Sequence, residues 1–243
     1  MIVGEDMRRI EQNLARVMGR IAVAARRAGR DPADVTVVAV SKTFSPETVV
    51  EARRLGISVF GENKVQEAWR KIPQVREALG EETISWHMVG HLQRNKVKQA
   101  VKLFDLVHSM DSLRLVRELE SRCAALEKHM PVLLEINVSG EASKYGLPLD
   151  ERKQLEAVIE SVLAAPHLEL QGLMTIAPIA SDPEEVRPYF RRLRHLRDEL
   201  ARQFPAADWR HLSMGMTDDF EIAVEEGATL VRIGRAIFGP RRN

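Results

Sequence analysis

The chain of 243 residues has a single cysteine, Cys123. One thiol makes no internal disulfide, so the fold rests on packing and suits a reducing compartment. Cys123 stands between Arg122 and Ala124 in a helical pattern and reads as a core side chain. No apolar run approaches the ~20 residues needed to span a bilayer. The opening Met1-Ile2-Val3-Gly4-Glu5-Asp6 lacks the basic-then-apolar build of a secretory leader. A cytoplasmic location is therefore expected. Net charge is only +1, so no bulk field draws the chain to nucleic acid or membrane. There is no Pro/Gly/Ser-rich linker and no low-complexity stretch, which argues against separate domains. Tyrosine occurs twice, as Tyr145 and Tyr189.

What is present is ordinary globular material, 44% hydrophobic and 29% charged, enough to bury a sizeable core. The organising stretch is Val35-Thr36-Val37-Val38-Ala39-Val40-Ser41-Lys42-Thr43-Phe44. Its β-branched run has the look of a strand buried on both faces, as in a parallel sheet. Ser45-Pro46-Glu47 then opens a helix, with serine as cap and proline in the first turn. Lys42 thus falls at the carboxyl end of a strand, where parallel α/β folds bind ligands. A lysine there is costly to bury unless it is paired or reactive.

Similar runs predict strands at 35–40, 57–60, 84–90, 106–110, 131–138, 168–176, 211–216 and 229–234. Helical periodicity predicts helices at 5–29, 46–55, 64–79, 111–127, 150–163, 183–203 and 218–226. Eight strand units at about thirty-residue spacing point to one (β/α)8 TIM barrel over residues 1–243, with an extra N-terminal helix. An open doubly wound sheet is the alternative. Its nucleotide-binding forms want a Gly-rich first turn, which Ala39-Val40-Ser41-Lys42 is not.

In a barrel the strand ends converge, here delivering Lys42, Asn63, His91, Ser109, Lys144, Met174, Ser213, Gly215, Arg232 and Gly234. Glycine-bearing turns follow the last two strands, Ser213-Met214-Gly215-Met216 and Arg232-Ile233-Gly234-Arg235. That is where barrels commonly seat a phosphate. Arg232 lies inside an apolar strand and needs a partner. One reading is a salt bridge to a core carboxylate such as Glu62 or Glu135; the other is an acceptor on a bound ligand. A phosphate cradle, an amine and such an arginine together suggest pyridoxal phosphate (PLP), with Lys42 as Schiff-base lysine. The amine must then lose its proton, from an ordinary pKa near ~10.4, which desolvation at a barrel mouth favours.

Longer motifs carry a resemblance: Phe60-Gly61-Glu62-Asn63-Lys64-Val65-Gln66-Glu67, Trp86-His87-Met88-Val89-Gly90-His91-Leu92-Gln93-Arg94-Asn95-Lys96, Gly172-Leu173-Met174-Thr175, Leu212-Ser213-Met214-Gly215-Met216-Thr217-Asp218-Asp219 and Val231-Arg232-Ile233-Gly234. In this order, after Ala39-Val40-Ser41-Lys42-Thr43, the chain resembles the PLP homeostasis proteins, single-domain relatives of the barrel half of alanine racemase. The resemblance implies a fold-type III PLP barrel with Lys42 holding the cofactor and Arg232 facing the pyridine nitrogen. It puts Ser213, Gly215, Gly234 and Arg235 around the phosphate, and Asn63 and Met174 near the ring or its phenolic oxygen. Arg235 departs from the small hydroxyl residue many members have, so a hydroxyl contact is lost there. The family is regarded as regulators of vitamin B6 and amino-acid balance without established turnover.

An arginine at the ring nitrogen weakens the cofactor as an electron sink, because arginine accepts no proton. Tyr189 falls on an arginine-rich helix and Tyr145 in a loop, so no acid/base pair is evident. The leading expectation is a monomeric PLP carrier that hands cofactor to apo-enzymes. The alternatives are a low-activity racemase-like enzyme and a cofactor-free lysine aldolase. Lys144 is a candidate second acceptor, with a solvated loop lysine as its plainer reading. His91 reads as a hydrogen-bonded loop residue without metal-ligand spacing.

Overall fold

The computed structural model describes residues 2–240, with side chains from residue 7 onward. Met1 and residues 241–243 of the expected domain lie outside the described residues. The chain opens with helix α1 (Ile2–Arg27) and a 3-10 turn (Pro32–Asp34). Strand and helix then alternate: β1 (Thr36–Val40), α2 (Pro46–Arg54), β2 (Val59–Glu62), α3 (Val65–Leu79), β3 (Ser85–Met88), α4 (Val97–Leu103), β4 (Leu106–Met110), α5 (Leu113–Ala124) and β5 (Met130–Asn137). The two-residue β6 (Leu147–Pro148) precedes α6 (Arg152–Leu163), β7 (Leu168–Met174), α7 (Arg187–Gln203), β8 (His211–Ser213), α8 (Phe220–Glu225), β9 (Leu230–Ile233) and α9 (Arg235–Phe238).

All strand pairs are parallel, and eight strands close in the order β1-β2-β3-β4-β5-β7-β8-β9, with β9 returning to β1. β6 hangs on β5 outside the ring. This is the closed (β/α)8 barrel with its extra N-terminal helix, not an open sheet.

The extra helix has a packing reason. α9, after the last strand, is only four residues long and cannot cover β9 and β1. α1 fills that gap, lying against α8, α9 and α2. Asn13 Nδ2 donates to Ile237 O at 3.0 Å, and the Arg20 guanidinium sits 4.5 Å from the Phe220 ring centroid while pairing with Glu221.

Several sequence expectations shift. α4 was not foreseen: its buried Val97, Ala100, Val101 and Leu103 span seven residues, under two turns, too few to show a period. The helix expected at 183–203 begins as a 3-10 turn, Pro183–Val186, because Asp182 caps Glu184 N locally. The helix expected at 111–127 runs only over Leu113–Ala124.

Most of the core lies between the barrel wall and the helices. Inside the barrel a small separate cluster forms from Val38, Val40, Val89, Leu106, Leu133, Met174 and Leu230. β7 approaches β8 closely at Gly172 (φ +138), where a Cβ would stand 2.0 Å from His211 O. Only glycine fits there.

Cys123 is fully buried on α5, and burial pushes its thiol up to about 11. It is therefore inert while folded. The expected result is no reaction with an aromatic disulfide reagent at neutral pH, and one equivalent of thiol after denaturation. Stoichiometric labelling of the native protein contradicts this placement.

Candidate cofactor site at the barrel mouth

Strand spacing carries the site. Val38 is the Cα partner of Arg232 across β1 and β9. Two residues on, Val40 shares Val38's face of the strand, and Lys42 lies in the turn just beyond the strand's end. A cavity of about 170 Å³ opens at this end of the barrel, lined by Val40, Lys42, Asn63, Arg232, Gly234 and Arg235, with Phe44 and Val89 as apolar walls. Lys42 and Arg232 therefore border one space. Ile176 and Met216 form a partly exposed apolar rim.

Arg232 is 4% exposed, and burial pulls its pKa down to about 10, so it stays cationic at neutral pH. Nη1 donates to Ser213 Oγ at 2.7 Å and Nη2 to Thr175 O at 2.7 Å. Among the described residues no carboxylate forms an ion pair with it. Glu62, one expected partner, is taken by Lys71 at 2.8 Å, and Glu135 acts on Arg232 only through its field. Two of the five N–H groups of the guanidinium are spent on neutral oxygens.

Below Arg232 a hydrogen-bonded string crosses the lumen. His108 Nδ1 lies 2.8 Å from Ser213 Oγ, His108 Nε2 lies 3.0 Å from His87 Nδ1, and His87 Nε2 lies 3.2 Å from Ser85 Oγ. β8 and β4 are not neighbours in the sheet, so the first of these contacts passes through the interior. Arginine only donates, so Ser213 Oγ accepts from Arg232. Both histidines are buried. Burial holds both neutral: His87 is depressed to about 3, and His108 falls well below its ordinary value. Barrel interiors are usually filled by branched apolar side chains, so this polar layer is a departure.

Of the other candidate residues, Met174, Ser213, Gly215, His91 and Lys144 do not line the cavity. Ser213 is fully buried, and its hydroxyl is engaged by Arg232 and His108. Met174 is buried in the inner cluster with Val40 and Val89, which line the cavity above it. Gly215 has φ +90; a Cβ there would come within 2.5 Å of Ala223 Cβ, so the glycine admits the turn into α8. Arg235 and Asp218 pair on the exposed rim. His91 stacks on Tyr145 with ring centroids 3.9 Å apart and approaches Asp111 at 3.4 Å. Lys144 Nζ pairs with Glu141 at 2.8 Å. Neither His91, Tyr145 nor Lys144 lines the cavity.

His87, His108, Thr175 and the rim pair Thr217 and Asp218 were not singled out from the sequence. The two histidines had a usable signal. Each is a polar residue inside a strand otherwise built for burial, two positions from another small or apolar residue of the same face.

The sequence profile described as alanine racemase, N-terminal domain, matches residues 8–242. A pyridoxal phosphate homeostasis protein from Aquifex aeolicus is 45% identical over 231 residues, covering 95% of this chain and 98% of its own. This chain belongs to the pyridoxal phosphate homeostasis protein family. A solved protein from Bifidobacterium adolescentis superposes with a TM-score of 0.89 at 35% identity, covering 96% of both chains. PipY of Synechococcus elongatus, solved with PLP bound, gives a TM-score of 0.79 at 32% identity, covering 95% of this chain and all of its own. Racemase and aldolase structures at 18–19% identity share the barrel fold alone with this homeostasis-family chain. Among the described residues no helix is long and apolar enough to cross a membrane, and no cluster of three metal-ligating side chains occurs.

Proposed function

We propose that this homeostasis-family chain holds pyridoxal phosphate at the barrel mouth, covalently attached to Lys42, and serves PLP and amino-acid balance without substantial turnover. The observation that carries the proposal is the shared cavity of Lys42 and a buried, carboxylate-free Arg232. The donor set fits the group. Arg232 offers N–H toward an acceptor such as a ring nitrogen and can take nothing back. Gly234 and Arg235 sit at the turn into α9, beside Thr217, and offer hydrogen-bond donors to a phosphate, Arg235 being paired with Asp218 on the same rim. Ser213 holds Arg232 in place from beneath. Asn63 lines the same cavity, where it can meet a phenolic oxygen.

When bound, the cofactor supplies an electron sink whose strength depends on protonation at its ring nitrogen. This chain works against that protonation. Arg232 accepts no proton, and the groups behind it are a serine and two neutral histidines. Nor does a tyrosine or histidine line the cavity opposite Lys42. A two-base arrangement for moving a proton at a substrate carbon is missing among the described residues. Hand-over of the cofactor to apo-enzymes, a monomeric state and a cytoplasmic location belong to this same proposal.

The test is an absorbance spectrum of the purified protein before and after borohydride, with exchange of Cα deuterium from a panel of amino acids alongside. A visible band that borohydride bleaches, with a fixed mass on Lys42 and exchange near background, is the expected result. A protein that takes up no PLP overturns the proposal. Rapid exchange replaces the carrier with a racemase-like enzyme.

A further inference from the structure

Lys42 is flanked by two residues whose backbones are tied to one buried charge network. Lys71 on α3 is 5% exposed, and its Nζ donates to Ser41 O at 2.7 Å, Glu62 Oε1 at 2.8 Å and Glu67 Oε1 at 2.8 Å. Ser41 Oγ donates to the same Glu62 oxygen at 2.7 Å. On the other side of Lys42, the Thr43 N–H donates to Glu67 Oε1 at 2.6 Å. Thr43 itself has φ 69, a left-handed conformation that β-branched residues avoid and that persists only where the surroundings enforce it. Burying an ammonium and the Glu62 carboxylate together is also costly, and an apolar tie between α3 and the barrel would serve packing as well. Both costs fall on the two peptide groups that bracket Lys42.

We propose that Glu67, Lys71 and Glu62 are positioning residues for Lys42: they clamp residues 41 and 43 so that the amine enters the cavity in the orientation needed for bond formation. This rests on Lys42 being the attachment point for PLP. In that step the neutral amine nitrogen gives its lone pair to the aldehyde carbon. The carbonyl oxygen leaves as water with both nitrogen-bound hydrogens, and a C=N bond remains. No further reactant is needed. The rate then depends on the approach of nitrogen to carbon, where misplacement by about 1 Å costs on the order of 100-fold.

Glu67 is the residue to change, being half-buried at the edge of the network. The cofactor-free wild type, Glu67→Ala, Glu67→Gln and Lys71→Met proteins are compared in three ways. These are the rate of covalent attachment, the affinity for pyridoxine 5′-phosphate, and amide exchange over residues 41–44. Pyridoxine 5′-phosphate is an alcohol that fills the site but cannot form the bond. Glu67→Ala should slow attachment by about 10- to 100-fold, leave the alcohol's affinity within about twofold, and speed exchange at 41–44. Glu67→Gln keeps an acceptor oxygen for Thr43 N–H and should recover most of the rate. Lys71→Met should show the same split. Attachment at the wild-type rate in Glu67→Ala overturns the inference. So does a parallel loss of the alcohol's affinity, which marks a merely structural role. A wild type that binds PLP without a covalent bond sinks the functional reading first, whereas a wild type that links while Glu67→Ala links equally fast sinks the clamp alone.

Discussion

After incubation with pyridoxal phosphate, a Lys42→Ala protein is expected to show no imine absorbance band and no borohydride-fixed adduct by native mass spectrometry. A lysine amine forms this linkage because its nitrogen can add to an aldehyde, and alanine has no such group. The remaining walls of the cavity, Asn63, Val89, Arg232 and the turn at Gly234, are unaltered by the change. Cofactor should therefore still enter, but weaker by about 100-fold or more, each tenfold being about 1.4 kcal/mol. Lys144 is the nearest rival acceptor in the sequence reading. Its Nζ is held 2.8 Å from Glu141 Oε1 on the loop beyond β5, away from the cavity lining. A fixed adduct surviving in Lys42→Ala and vanishing in the double variant with Lys144→Ala would make Lys144 a second acceptor. An adduct surviving in both would remove Lys42 from the centre of the site.

Much of the barrel was readable because buried parallel strands are written as unbroken β-branched runs, as in Val37-Val38-Ala39-Val40 and Leu230-Val231. What escaped was short. α4 covers fewer than two turns, β6 is two residues, and α9 is four, so none leaves a periodic trace. The role of α1 follows from the brevity of α9, which only the packed molecule reveals. At the site, Lys42, Asn63, Arg232 and Gly234 are visible as polar or glycine residues at strand ends and Arg235 through the family resemblance, and the structure gathers them around one cavity. Arg232 was recognised as a charge in an apolar strand, yet its contacts, a serine hydroxyl and a main-chain carbonyl, carry no charge pattern a reader could match. The clamp on residues 41 and 43 was hidden for a similar reason. Lys71 and Glu67 look like an ordinary i, i+4 surface pair on a helix, and nothing in their spacing announces that their other bonds reach Ser41 and Thr43.

Glu135 on β5 is the buried carboxyl for which the proposed function has no use, and its removal should stabilise the protein in a pH-dependent way. It is 5% exposed, and Oε2 has no hydrogen-bond partner among the described residues. Burial, reinforced by Asp111 and opposed by Arg232, raises it from 4.5 to about 7. Between those values the unfolded chain has released this proton while the folded one keeps it. The native state binds more protons there, so stability falls as pH rises through that window. The stabilising protonated state is fully available below 4.5 and lost once pH passes about 7. At about 1.4 kcal/mol per pH unit the accumulated cost is roughly 3 kcal/mol. Glutamine has the shape without the titration. Denaturant unfolding of cofactor-free Glu135→Gln and wild type should therefore agree closely at about pH 4 and differ by roughly 3 kcal/mol in the variant's favour at about pH 8.5. The neutral His87 and His108 cost stability on the acid side, because the unfolded chain charges its histidines first, but they are common to both proteins and cancel in the difference. A gap that stays constant across this range would mean that Glu135 ionises normally in the folded protein. In that case the barrel interior below Arg232 would be wetter than its packing indicates.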